Sequence, residues 1–65
     1  MEIGKQIRKY RTELKLSQDD LADKVYVTRQ TISNWEHGKS YPDIISVIKI
    51  INFFNIMTSL VLLAT

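Results

Sequence analysis

Sixty-five residues set a ceiling of one compact domain, about half the commonest domain size, with a marginal core. Without Cys, and with His37 as the lone histidine, neither a disulfide nor a Cys/His zinc site can staple that core. Nine basic against seven acidic residues, with 45% hydrophobic and 25% charged side chains, exclude a disordered, collagen-like or coiled-coil chain.

With only Gly4, Gly38 and Pro42 as punctuation, the composition favours helices. Over residues 2–14, Ile3, Ile7, Tyr10 and Leu14 recur every three or four positions, the stripe of an amphipathic helix. This segment is basic: Lys5, Arg8, Lys9, Arg11 and Lys15 face only Glu2 and Glu13. Ser17-Gln18-Asp19-Asp20 has the form of a capping box and opens a second helix, with Leu21, Ala22 and Val25 on its buried side. Thr28 is a second N-cap, so Val25-Tyr26-Val27 must turn the chain sharply. Two short helices joined so tightly cross steeply, the helix-turn-helix geometry. The corner needs positive φ, and Tyr26 occupies it where Gly would be cheaper by about 1 kcal/mol. Ile32 and Trp35 carry the next buried stripe, and Gly38 is suited to a left-handed cap. Tyr41-Pro42-Asp43 places Pro in the first turn of a further helix.

Residues 44–64 are heavily apolar, interrupted by Ser46, Lys49, Asn52, Asn55 and Ser59. These interruptions predict a buried helix pair broken near Asn55–Ser59 rather than a membrane span, which needs about 20 consecutive apolar residues. The charged start is unlike a secretion signal, so a cytoplasmic protein with no membrane contact is expected.

Leu16-Ser17-Gln18, Leu21-Ala22, Val25, the run Thr28 to Glu36, and Gly38-Lys39 resemble the phage Cro/CI-type, or XRE-type, helix-turn-helix family. The resemblance covers about residues 3–56. It implies an all-α, lambda-repressor-like DNA-binding domain, a compact bundle of four to five short helices. A single domain over 1–65 is expected, with the motif at about 17–36 and apolar C-terminal helices at about 42–64. The resemblance further implies that the third helix enters the major groove, usually as a homodimer on a palindromic operator. Arg11 and Glu36 align with a pair that family members use as a buried ion pair joining the first helix to the recognition helix.

The residues support this reading on their own. A helix from Thr28 that buries Ile32 and Trp35 turns Arg29, Gln30, Ser33 and Asn34 outward together. Arg forks onto guanine O6/N7, and Gln and Asn onto adenine N6/N7. Thr28 offers a methyl or hydroxyl beside them, giving Thr28, Arg29, Gln30, Ser33 and Asn34 as the base-reading set. Phosphate contacts are expected from Ser17 and Gln18, where free N–H groups at a helix start meet an anion, and from Thr31, His37 and Lys39. Trp35 reads as core, and Tyr10 and Tyr26 as amphipathic cover for it. No catalytic set can be assembled, so neither an enzyme nor a cofactor, metal or small-molecule substrate is expected. The competing reading is a protein-interaction module, antitoxin-like, working through the apolar C-terminal segment. That segment, Met57 to Thr65, lacks the acidic amphipathic helix usual in the family.

Overall fold

The computed structural model describes residues 2–64. Four helices make up the fold: α1, Ile3–Glu13; α2, Gln18–Val25; α3, Arg29–Glu36; and α4, Ile44–Ala64. Among the described residues there is no strand.

Each boundary has a local cause. Ser17 and Asp20 close a reciprocal capping box: Ser17 Oγ accepts from the Asp20 N–H at 3.0 Å, and Asp20 Oδ2 from the Ser17 N–H at 3.0 Å. The α2–α3 corner is made by Tyr26 at φ 62°, with the Val27 N–H returning to the Ala22 carbonyl. Thr28 Oγ1 then caps α3 by accepting from the Thr31 N–H at 3.2 Å. Gly38, at φ 73°, ends α3 as the Lys39 N–H reaches back to the Asn34 carbonyl. Lys15 adopts φ 60° at the end of α1, a left-handed position with no sequence signal. Asp43, rather than Pro42, starts α4: its Oδ1 accepts from the Ser46 N–H at 3.2 Å, so Pro42 lies ahead of the helix instead of in its first turn.

α2 packs on α3 and on α4, and α1 crosses α3. Ile7, Leu21, Ala22, Val25, Ile32, Trp35, Ile50 and Phe54 form the core. Gly4 is buried where α1 crosses α3, and a methyl group there would collide with the Trp35 carbonyl oxygen. Tyr10 reaches the core edge, its ring 6.1 Å from that of Phe54.

Two further expectations are corrected. The helix pair broken near Asn55–Ser59 is one uninterrupted helix of 21 residues, about 31 Å long. No Gly or Pro lies beyond Pro42 to break it, and Asn and Ser alone do not. Nor is it buried: only Ile50 and Phe54 of α4 are. By length and composition α4 could cross a membrane, although those two residues in its middle are held by the core. Tyr26 is not core cover either. It is 82% exposed, with the Lys49 ammonium 5.4 Å from its ring centroid.

Gly4→Ala is expected to lose about 2 kcal/mol or more, since the two helices must separate to admit Cβ. Lys15→Gly is expected to gain about 1 kcal/mol by relieving the left-handed residue. Urea denaturation followed by circular dichroism measures both, and the opposite signs separate a packing constraint from a conformational one.

Candidate nucleic-acid interface

The site begins with an ion pair. Arg11 of α1 meets Glu36 at the end of α3 in a two-pronged contact: Nε to Oε2 at 2.6 Å and Nη2 to Oε1 at 3.0 Å. The Arg11 side chain is 12% exposed and that of Glu36 only 2%. The remaining arm of the guanidinium, Nη1, donates to the Leu16 carbonyl at 2.8 Å, and Gln18 Nε2 donates to Glu36 Oε1 at 3.1 Å. One carboxylate thus fastens α1 and the start of α2 to the last turn of α3, while Arg11 also holds the α1–α2 loop. The carboxylate's cost of leaving water is met by three charge-assisted hydrogen bonds. No buried side-chain N or O atom among the described residues lacks a partner.

Held in this way, α3 buries Ile32 and Trp35. Thr28, Arg29 and Gln30 are exposed, while Thr31, Ser33 and Asn34 are partly so. Arg29 is exposed in the first turn, and among the described residues no carboxylate pairs with it. Gln30 Nε2 donates to Asn34 Oδ1 at 3.0 Å, aligning the two amides one turn apart. The pair retains the Gln30 carbonyl oxygen and the Asn34 N–H groups for an outside partner. The face carries no acid; the one acid of α3, Glu36, is turned inward onto Arg11. Thr28 has little polar capacity to spare, because its hydroxyl caps the helix and lies 2.9 Å from that of Thr31.

The flanking residues are less uniform. Gln18 uses one amide hydrogen on Glu36 and keeps the other. The Ser17 N–H is not free, since Asp20 holds it, so the exposed donors at the start of α2 begin with the Gln18 backbone. His37 Nδ1 lies 2.7 Å from the Ser33 carbonyl oxygen and 3.4 Å from Ser33 Oγ. A carbonyl only accepts, so Nδ1 carries the proton, and a phosphate contact through Nε2 requires the doubly protonated ring. Lys39 is exposed just past α3.

Two carboxylates tune the frame rather than the face. The Ser17 backbone N–H lowers the pKa of Asp20, helped by the Ser17 hydroxyl. Hydrogen bonds from Ser46 lower that of Asp43. A lowered folded-state value means stability that is present above the ordinary carboxylate range and lost as pH falls through the lowered values. Sequence reasoning placed both caps, and the family resemblance the ion pair. It missed the Gln30–Asn34 bond, which their spacing of four allows.

Glu36→Ala is expected to cost about 3 kcal/mol or more, because it strands a nearly buried guanidinium. Arg11→Met combined with Glu36→Leu should recover most of that loss. Denaturant midpoints of the two variants decide the point, and equal losses would contradict it. Acid titration of the wild type should show stability declining below the ordinary carboxylate range, with a smaller decline in Asp20→Asn.

The helix-turn-helix family matches residues 7–60. An HTH-type transcriptional activator of Enterococcus faecalis, BcrR, is 41% identical over 56 residues, which are 86% of this chain and 28% of that protein. The SPbeta prophage-derived uncharacterized HTH-type transcriptional regulator YonR of Bacillus subtilis is 34% identical over 63 residues, 97% of this chain and 58% of its own length. An uncharacterized HTH-type transcriptional regulator of Methanothermobacter thermautotrophicus is 51% identical over 39 residues, covering 60% of this chain and 56% of that protein. The chain therefore spans between 28% and 58% of the length of these relatives. No solved structure matches significantly. The match over residues 7–60, carried on four helices of which the first three are tied together at Glu36, places the chain in the XRE-type, Cro/CI-like helix-turn-helix family of DNA-binding transcriptional regulators.

Proposed function

We propose that the chain binds duplex DNA sequence-specifically as a transcriptional regulator, with α3 in the major groove. The observation that carries this reading is the outward side of α3: a guanidinium, two aligned amides and a serine hydroxyl, exposed or partly so, free of acid and fixed from behind by Arg11 and Gln18. Arg29 reads guanine, and Gln30 with Asn34 reads adenine. Ser33 and the Thr28 methyl contact neighbouring base edges. Gln18, Lys39, Thr31 and protonated His37 hold phosphates, and Ser17 contributes its hydroxyl hydrogen alone. Repression by occupying the operator is the simplest mode. The E. faecalis relative is named an activator, so the sign of regulation follows from where the operator lies.

The chain acts as one domain over 1–65, in the cytoplasm, without a catalytic step or a small-molecule substrate. It binds a palindromic operator as a homodimer through its C-terminal helix, with half-sites about 34 Å apart or a multiple of that.

Selection from random duplexes, followed by gel mobility measurements, tests the assignment. Arg29→Ala should cost about 1–3 kcal/mol on the selected site and relax preference at one base pair. A uniform loss across all site variants would make Arg29 a phosphate contact. Lys39→Ala should weaken every duplex alike and flatten the salt slope by about one unit. An unchanged slope would remove it from the interface.

A further inference from the structure

An exposed glutamine ordinarily leaves open which way its amide points. The last side-chain torsion is broad and two-fold, so oxygen and nitrogen exchange places freely. For reading a base, that order is decisive. The major-groove edge of adenine offers one donor, N6–H, and one acceptor, N7, and is met by an amide presenting one oxygen and one N–H. The edge of guanine offers two acceptors, O6 and N7, and is met by hydrogens alone. Gln30 is exposed in the first turn of α3, and its Nε2 donates to Asn34 Oδ1 at 3.0 Å. That bond takes one of the two Nε2 hydrogens. Gln30 is left with one N–H and a carbonyl oxygen, the complement of adenine and one donor short of guanine.

We infer that Asn34 is a positioning residue: its side-chain oxygen fixes the Gln30 amide in the order that prefers adenine over guanine, so that the two residues read one base pair as a unit. This deepens the proposed DNA binding and rests on it. Asn34 is suited to hold rather than to read. It is only partly exposed, whereas Gln30 is exposed, and it stands one turn, about 6 Å, further along α3. Its side chain is one torsion shorter, so less freedom is lost in fixing it. Its backbone is held as well: its carbonyl accepts from the Lys39 N–H at 2.9 Å, and its neighbour Trp35 is part of the core. With its oxygen turned to Gln30, Asn34 has no fork of its own to set on a second adenine.

Binding-site selection on the wild type and on Gln30→Ala identifies the base pair that Gln30 reads. Affinities for duplexes that differ only at that pair are then measured by fluorescence anisotropy for the wild type, Asn34→Ala and Asn34→Asp. Adenine should be preferred over guanine by about tenfold or more in the wild type, and by less than about threefold in Asn34→Ala. An Asp oxygen still accepts from Gln30 Nε2, so Asn34→Asp should bind every duplex more weakly yet keep the adenine preference. Each preference is a ratio within one variant, so a loss of folded protein cancels. Relaxed preference at a second base pair in Asn34→Ala, with the first intact, would overturn the inference and make Asn34 a reader in its own right. So would a wild-type preference for guanine at the Gln30 pair, a preference unchanged in Asn34→Ala, or one lost equally in Asn34→Asp. In each of these cases sequence-specific binding itself stands. A wild type that selects no preferred site would instead overturn the proposed DNA binding, and the role of Asn34 with it.

Discussion

The Glu36 carboxylate is the constraint on which the rest of the molecule depends. Eight-residue helices such as α2 and α3 are marginal alone, since a helix shorter than about 12–15 residues does not repay its nucleation. The eight-residue core fixes which side of α3 is inward but grips it weakly against rotation or sliding. Arg11 and Gln18 supply what apolar packing lacks here, because hydrogen bonds specify direction and Arg11 contributes two in a fixed fork. In the proposed complex, an acid on the outward side of α3 would repel a phosphate lattice. Turning it onto Arg11 removes that repulsion and uses its charge as the anchor.

The same economy runs through the loops. The Ser17 and Thr28 hydroxyls are taken up in starting α2 and α3, which leaves the outward chemistry to longer side chains. Two non-glycine residues, Lys15 and Tyr26, accept left-handed backbone at the two corners that set the angle of α2. Those positions cost stability that a 65-residue domain has little of, and the Arg11 bond to the Leu16 carbonyl braces the first of them. Lys49 over the Tyr26 ring ties the second to α4.

What was legible in the sequence was whatever has a short-range cause. The capping box, the Thr28 cap, the Gly38 turn and the sharp Tyr26 corner depend on residues within five positions of one another, and their spacing announces them. Arg11 and Glu36 are 25 positions apart and were placed by family resemblance rather than by pattern. The C-terminal third was misread because its polar residues suggested a break. Asn and Ser are tolerated in an exposed helix, however, and nothing there forbids the helix from continuing. The Tyr26 exposure was missed for a related reason: an aromatic side chain at a left-handed corner points where the backbone directs it, not where its apolar area would be best covered. The outward polar side of α3 was identified as a set, although the bond that pairs Gln30 with Asn34 becomes evident only with coordinates.

The central claim is that the polar side of α3 is the surface that meets DNA. Titration of the isotope-labelled chain with a short random duplex, followed by amide chemical shifts, tests it most directly. The account predicts salt-sensitive perturbations concentrated at residues 28–34, Gln18 and Lys39. Perturbations confined to α4 and the α1 groove, with α3 silent, would contradict it.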